Sequence, residues 1–397
     1  MEVCSLASDS QDRKSLPAGV VWVMAVACGI TVANLYYSQP LLAEMARQFG
    51  VSPRDMGIVS ALTQIGYALG LLFFVPLGDV LDRRRLILVM LGGSIVALAA
   101  VALAPGFAWL AVASLFLGAA TVTPQMIVPL AAGLTPPEQR GAVVGHVMSG
   151  LLIGILVSRT VSGQVGARLG WRSIYWIAAV TSVLLAILLR RVLPRSRGSV
   201  QMSYPQLLRS LGRLFLKEPL LRDSCIFGAA GFGAFSAFWT TLAFFIAGPP
   251  YGYGSGAAGL FGLAGAAGAM AAPVAGRLAD ARGPRLAIGA ALIIMLLSYA
   301  VLAALGYQLW GLILGVILLD LGAQSNQISN QARIYSLPAE AHNRLNTIYM
   351  VSFFIGGAAG SWLGALAWSR WGWNGTCAVG AGLLIVGLVR YLVALRR

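Results

Sequence analysis

Long apolar segments alternate with short polar connectors along almost the whole chain. Apolar runs of about 18 residues or more recur, and a run of that length lets an α-helix cross the hydrocarbon core of a bilayer. A membrane barrel would instead show alternating segments of about ten residues, and we find no such pattern. The pattern predicts twelve spans, which we number in chain order. They cover residues 17–43, 54–76, 86–104, 108–131, 142–166, 173–193, 223–248, 256–275, 286–305, 308–331, 344–367 and 375–395.

Two polar connectors repeat each other half a chain apart. Residues 75–85 read VPLGDVLDRRR and residues 276–285 read GRLADARGPR, which places Asp79 and Asp280 201 positions apart. Two further pairs keep an offset of 202: PPE at 136–138 with PAE at 338–340, and GW at 170–171 with GW at 372–373. A duplicated architecture is the simplest explanation. The predicted fold is therefore an all-α polytopic membrane protein with two pseudo-symmetric six-helix halves.

The longest polar connector separates the two sets of six spans. We predict an N-terminal half over residues 1–193, a linker over 194–222 and a C-terminal half over 223–397. Within the linker, apolar residues recur at helical spacing with basic residues on another face: Leu207, Leu208, Leu211, Leu214 and Phe215 against Arg209, Arg213 and Lys217. This pattern predicts an amphipathic helix, which could lie on the lipid headgroups or serve as a solvated linker.

Charge is scarce and unevenly placed. Charged residues make up 10% of the chain and hydrophobic residues 58%, whereas a soluble protein is about 25% charged. A net charge of +15 could suggest a nucleic-acid partner. The basic residues, however, sit between apolar runs and favour alternate connectors, as expected where positive charge orients a membrane protein. We therefore expect no nucleic-acid partner, a monomer in the bilayer of a bacterial inner membrane, and both termini in the cytoplasm. We read the first apolar run as a retained helix, because it lacks a cleavage pattern.

Small residues form stripes in spans 2, 5, 8 and 11. They recur every four residues in spans 2, 5 and 11 and every three residues in span 8, as in Gly66 and Gly70 or Gly356 and Gly360. Such stripes let helix backbones approach closely in lipid. We predict that these four spans form the seam between the halves; tight packing within one half is the alternative.

The paired connectors, the even number of spans and the central linker together resemble the Major Facilitator Superfamily. The connector at Asp79 resembles the family signature between spans 2 and 3, and Asp280 its copy, although Val75 and Asp82 replace the usual glycines. Residues 34–42 (NLYYSQPLL) and 345–350 (LNTIYM) resemble the bacterial efflux branch of arabinose-efflux-like and drug:proton antiporters. The resemblance implies alternating access around a midplane site, with a cavity lined by spans 1, 4, 7 and 10. In the antiporter signature of span 5, Arg159 stands at the position usually held by proline.

Two charged residues lie well inside predicted spans, Arg159 in span 5 and Asp320 in span 10. Such a charge costs at least about 2.5–3.5 kcal/mol and usually has a function or a partner. Asp320 shares one helical face with Gln324 and Gln327, which follow it at four and seven positions. We predict that both charged residues serve proton coupling, with Asp320 as the proton carrier, because low dielectric favours the neutral carboxyl group. A structural acid is the alternative for Asp320. Arg159 could be its counter-ion, a ligand of an anionic substrate or a structural cap.

Gates and substrate contacts complete the predicted site. Asp79 and Asp280 are predicted gating residues, with Arg83 as the partner of Asp79. The orientation of the protein in the membrane is enough to explain the neighbouring arginines. Substrate contacts are predicted from aromatic and amide side chains, which suit a neutral or amphipathic solute. They are Asn34, Tyr37, Gln125, Phe235, Trp239, Gln324, Gln327, Asn346 and Tyr349.

Soluble-type catalysis and ATP-driven transport are disfavoured. The sequence shows no phosphate-binding loop, dinucleotide fingerprint, zinc-type HExxH or nucleophile elbow, and its two His and four Cys lack ligand spacing. We predict no enzyme, no metal and no cofactor beyond the proton gradient. The predicted function is a proton-coupled secondary transporter that exports a small organic solute or drug. The alternatives are an uptake carrier or uncoupled facilitator for a sugar-like or anionic solute and, from another class, an intramembrane enzyme or a sensor.

Overall fold

The computed structural model describes residues 16–194, 203–280, 283–338 and 341–396, with only the backbone described at 137 and over 271–280. Spans 1 to 6 are Ala18–Ala33 continued by a 3-10 turn, Gln39–Leu41, and Leu42–Phe49; Pro53–Phe73; Arg83–Ala102; Phe107–Ala120 with Thr123–Leu134; Pro137–Leu169; and Trp171–Val192. A short helix, Leu77–Val80, precedes span 3, and Tyr204–Lys217 lies in the linker. Spans 7 to 10 are Pro219–Ala247, Ser255–Asp280, Pro284–Leu305 and Leu309–Ile334. Spans 11 and 12 share the helix His342–Leu395, interrupted at Gly372.

The twelve predicted spans are found in this all-helical chain. In the described part, nine helices are long and apolar enough to cross a membrane, and one of them is the interrupted 54-residue helix, which supplies two spans. The shorter apolar helices Ala18–Ala33 and Ser255–Met270 supply the remaining two. No strand occurs among the residues described. The predicted fold class is confirmed.

The repeated Gly–Trp pairs have one structural role in both halves. Gly170 and Gly372 have φ of 80° and 59°, a left-handed region open to glycine at little cost. Each glycine reverses the chain before the last span of its half, and the following Trp171 and Trp373 are buried. The Trp171 indole donates to Gln48, and that of Trp373 donates to the Leu302 carbonyl at 2.8 Å. The duplication thus preserves both the turn and its anchor.

The halves meet through two pairs of spans, 2 with 11 and 5 with 8. Between spans 2 and 11, Gln64 donates to Ser361 at 2.9 Å. Between spans 5 and 8, Thr160 and Gln164 donate to the carbonyls of Gly259 and Gly256 at 2.9 and 3.0 Å. All of these groups lie in the half of the membrane opposite the face at which span 1 begins and span 12 ends.

The small-residue stripes only partly account for that seam. Gly66 packs on the backbone of Leu115 in span 4, Gly154 on Gly29 in span 1, and Gly360 on Gly233 in span 7. These contacts lie within a half, so the alternative of internal packing holds for spans 2, 5 and 11 at these positions. Gly259 of span 8 does face span 5 across the seam, against the Arg159 backbone. Close backbone approach therefore mainly builds each half.

A cavity of about 590 Å³ lies between the halves. It reaches the face of the membrane at which span 1 begins and span 12 ends, here called the terminal face, where Tyr335, His342 and Asn343 line it. The hydrogen bonds at Gln64, Thr160 and Gln164 close the opposite face. The molecule is thus open to the terminal face.

The linker helix packs on the protein at the terminal face. Leu207 and Leu211 are buried, and the Tyr204 hydroxyl donates to the Phe73 carbonyl at 2.8 Å. Leu216 remains exposed. The predicted amphipathic helix therefore exists, with part of its apolar face on protein. Residues 195–202 lie outside the described part, and the predicted domain limits stay a prediction.

Candidate functional site

Arg159 is the centre of a buried site between the halves. Its side chain is 0% exposed, although it carries a charge that arginine does not lose in proteins. The Nε–H donates to the Gln39 side-chain oxygen at 2.7 Å, and Nη1 and Nη2 have no hydrogen-bond partner among the described residues. Gln39 lies in the 3-10 turn of span 1, so the bond joins two spans of the N-terminal half.

Aromatic rings surround the guanidinium group. Its carbon lies 4.0 Å from the Trp239 ring centroid, 4.9 Å from that of Tyr36 and 5.3 Å from that of Phe235. A cation is attracted to the face of such rings within about 6 Å. Trp239 and Phe235 come from span 7, so the C-terminal half supplies most of this surface. The rings stabilise the cation without occupying its hydrogen-bond donors.

Asp320 lies beside this group without completing an ion pair. It is 1% exposed, and within the part of the chain that the structure describes neither carboxylate oxygen has a hydrogen-bond partner. It feels the charge of Arg159 and faces the Trp239 indole N–H, whose geometry stops short of a hydrogen bond. Gly265 of span 8 leaves room for the carboxylate, because a Cβ there would lie 2.9 Å from Oδ1. Two opposite charges are therefore buried close together with hydrogen-bonding capacity unused.

The cavity lies directly above this charged layer. Tyr36 and Phe235 line the cavity and also flank the guanidinium group. Gln324, Gln327 and Gln331 line the wall formed by span 10, so the predicted polar stripe faces the cavity. Asp320 lies one turn deeper, next to the floor.

Six of the nine predicted substrate residues lie in or next to this cavity. Gln125, Phe235, Gln324, Gln327 and Asn346 line it, and Trp239 lies under its floor against Arg159. These side chains come from spans 4, 7, 10 and 11. The structure therefore brings together one predicted substrate residue of the N-terminal half and five of the C-terminal half.

The other three predicted substrate residues lie elsewhere, which corrects their assignment to the cavity. Asn34 is buried, with no partner for its amide group and outside the cavity lining. Tyr37 lines a separate groove between spans 1 and 5 and packs edge-on against Tyr175, with ring centroids 6.5 Å apart. Tyr349 is fully buried against Gly228. The span-1 helix ends at Ala33, and this break turns Tyr36 rather than Tyr37 to the cavity.

The predicted gating pair exists at the terminal face. Arg83 Nη2 lies 3.0 Å from Asp79 Oδ1, and its Nε–H donates to the Gly78 carbonyl at 2.9 Å. Asp82 caps span 3 by accepting from the Arg85 amide at 3.1 Å. The side chain of Asp280 lies outside the described residues.

Sequence reasoning assigned no role at the charged site to Tyr36 or Gly265, and it overlooked a second charged cluster. Asp223 at the start of span 7 binds Arg390 of span 12, whose Nε lies 2.9 Å from Oδ1, and Arg333 of span 10, whose Nη2 lies 3.8 Å from Oδ2. Asp223 begins predicted span 7, Arg333 follows predicted span 10, and Arg390 lies in predicted span 12. An acid and two arginines near the same face were the available signal.

Comparisons with known proteins agree with this fold. A family model described as Major Facilitator Superfamily matches residues 24–338 and 260–397. The uncharacterized transporter YgaY of Escherichia coli O157:H7 is 43% identical over 384 residues, 96% of each chain. A protein of Helicobacter acinonychis named "Probable sugar efflux transporter" is 24% identical over 390 residues, 95% of each chain. A crystal structure of the peptide transporter POT has a TM-score of 0.77 at 14% identity and covers 96% of this chain and 95% of that one.

Proposed function

The chain belongs to the Major Facilitator Superfamily, and we propose that it is a proton-coupled secondary transporter that moves a small organic solute by alternating access. The family makes it a membrane transporter and not an enzyme. The observation that carries the proposal is the buried Asp320, which lies under the cavity floor with neither oxygen hydrogen-bonded.

Asp320 has the surroundings expected of a proton carrier. A buried, unpaired carboxylate is costly, and protonation removes that cost. The nearby Arg159 favours the ionised form, so the two protonation states are kept closer in free energy than burial alone would allow. A purely structural acid would instead have its oxygens paired, as in Asp223, whose Oδ1 accepts a hydrogen bond from Arg390 and whose Oδ2 forms an ion pair with Arg333.

Alternating access would exchange the closed and open faces of the molecule. The bonds at Gln64, Thr160 and Gln164 would break when the opposite face opens. At the terminal face we assign Asp79 and Arg83 to the gate and retain Asp280 as a predicted member. The linker helix, which already packs against span 2 through Tyr204, would follow the same movement.

Export and uptake are the two candidate directions. The Helicobacter acinonychis relative, named as a sugar efflux transporter, supports export of a small solute. The unused Nη1 and Nη2 of Arg159 favour the alternative, an uptake carrier for an anionic solute. The positive-inside pattern makes the terminal face cytoplasmic in a bacterial inner membrane, so the cavity described above would face the cytoplasm. We expect a monomer.

The experiment is proton movement in proteoliposomes, followed with a pH-sensitive dye across a panel of anionic, neutral and cationic solutes. Wild type is compared with Asp320→Asn, which removes the ionisable group at nearly constant size. Asp55→Asn is the matched control, because Asp55 lies in the first turn of span 2 outside the cavity. We expect a solute to drive proton flux in wild type and the control, whereas Asp320→Asn keeps solute exchange only. Transport by wild type without proton movement under any gradient would refute the proposal.

A further inference from the structure

We propose that the solute is an organic anion, whose acidic group binds Arg159 while a proton occupies Asp320. This inference rests on the proposed function and specifies the substrate class of the same site. It is carried by the unused donors of Arg159, by the aromatic surface around them and by the number of charges in the layer under the cavity floor.

The unused donors call for an anionic group with two acceptor oxygens. Gln39 satisfies the Nε–H of Arg159, but Nη1 and Nη2 have no hydrogen-bond partner although the side chain is 0% exposed. A guanidinium group binds a carboxylate or phosphonate through two parallel hydrogen bonds. A neutral solute would satisfy some of these donors but, with Asp320 protonated, would leave the charge of Arg159 unbalanced.

The aromatic surface suits the body of such a solute. Tyr36 and Phe235 flank the guanidinium group and also line the cavity. Above them, Phe232 stacks on Phe353 with ring centroids 3.9 Å apart. An acidic group passing between Tyr36 and Phe235 would leave a ring or other apolar body against these side chains. The amides of Gln324 and Gln327 lie further along the wall.

The charge count couples the anion to the proton. In the described residues, the charged or titratable groups facing Asp320 are Arg159 of span 5 and Tyr36 of span 1. Span 7 contributes the uncharged Trp239, and span 8 contributes Gly265. With Asp320 ionised, an incoming anion would place two negative charges beside one positive charge. With Asp320 protonated, the anion and Arg159 balance.

Anion and proton therefore favour each other's binding, and this linkage is reciprocal. The loaded site carries both together, so they cross the membrane in the same direction. Where the proton gradient points inward, this pairing drives uptake of the anion. The inference thus favours the uptake alternative over export.

The test measures binding and proton uptake on the full chain in lipid nanodiscs. The probes are benzoate, 3-phenylpropionate and phenylphosphonate, with benzamide and 3-phenylpropanamide as uncharged partners of the two carboxylates. Calorimetry in buffers of different ionisation enthalpy gives both affinity and protons taken up. We expect at least one anionic probe to bind and proton uptake to accompany its binding. The amide of a carboxylate that binds should bind at least about 30-fold more weakly.

Three variants and a matched control test which residues are responsible for anion binding and proton uptake. Arg159→Gln should lose anion binding by about 30-fold or more, and Arg159→Lys should recover part of it. Arg172→Gln is the matched control: Arg172 also lies over aromatic rings, 4.4 Å from that of Trp171, but donates to the Ala104 carbonyl at 2.9 Å. Asp320→Asn should keep anion binding and lose both proton uptake and its pH dependence. Thermal melting confirms that each variant is folded.

Several outcomes would overturn the inference. The inference fails if no anionic probe shows saturable binding, if acid and amide bind equally, or if folded Arg159→Gln binds the anion as tightly as wild type does. If a neutral or cationic solute moves with protons and no anion does, the transporter proposal stands and the anion inference fails. If an anion binds through Arg159 without proton uptake, both the coupling and the pairing of anion with proton fail.

Discussion

The Arg159–Asp320 site and the Asp223–Arg333–Arg390 cluster both place an acid beside arginine, yet their contacts differ. Both oxygens of Asp223 face arginines, at 2.9 and 3.8 Å, and the cluster lies within the C-terminal half, joining spans 7, 10 and 12. Asp320 has no hydrogen bond, Arg159 has two unused nitrogens, and the two come from different halves. Paired charges within one half stabilise a single arrangement. Unpaired charges at the interface between the halves leave bonding capacity for a proton and a solute.

The largest expected effect separates the two acids by function. Asp320→Asn should abolish coupled proton movement with the folded state retained, because it removes the ionisable group without removing a hydrogen bond among the described residues. The folded fraction of Asp223→Asn should keep proton coupling. Dye-monitored proton flux in proteoliposomes, beside thermal melting of the same preparations, measures both properties. Loss of coupling in both variants to the same extent would remove the distinction.

The next effect separates them by stability. Asp223→Asn removes the charge that balances Arg333 and Arg390, and breaking a buried pair usually costs about 3–5 kcal/mol. Arg390 is 27% exposed, so we expect about 2 kcal/mol after solvent screening. Melting in detergent should show a clear drop relative to wild type, and Asp55→Asn should show much less. An unchanged melting temperature for Asp223→Asn would contradict the structural role.

A smaller effect tests the space around Asp320 without changing any charge. In Gly265→Ala, the new Cβ would lie 2.9 Å from Oδ1, so the carboxylate must shift. We expect the rate of coupled transport to fall about tenfold, as misplacement at a reacting group allows, with the folded state retained. Gly256→Ala in the same helix is the control, because its nearest neighbour would lie 3.4 Å away. Equal rates for the two variants would show that the position of the carboxylate is not critical.

The smallest effect on stability concerns the gate. Asp79 and Arg83 are partly exposed, and such ion pairs contribute about 0–1 kcal/mol. Asp79→Asn should therefore leave the melting temperature almost unchanged while slowing transport, since it weakens a contact of the terminal face. Solute binding at the cavity should be unaffected. Slower transport accompanied by weaker binding would place Asp79 in the site rather than in the gate.

Much of the candidate site could be predicted from local sequence. Asp320 and Arg159 stand out because a charge in an apolar run is costly at any rotation of the helix. The spacing of Gln324 and Gln327 places them on the face of Asp320, and the structure turns that face toward the cavity. Tyr36 and Tyr37 are adjacent and similar, and choosing between them required the break after Ala33. The contact between Arg159 and Gln39 spans 120 residues, and no local pattern signals it.

Hydropathy and charge along the chain are enough to predict the twelve spans, the duplicated halves and the two charges inside the membrane, because both properties act residue by residue along a helix. Tertiary structure alone decided which side chains share the cavity, which glycines face the seam and which polar atoms remain without partners. Those properties depend on how deep each helix sits and how it is rotated against its neighbours. Packing between helices sets depth and rotation, so Arg159 meets Trp239 and Asp320 only once the two halves have come together.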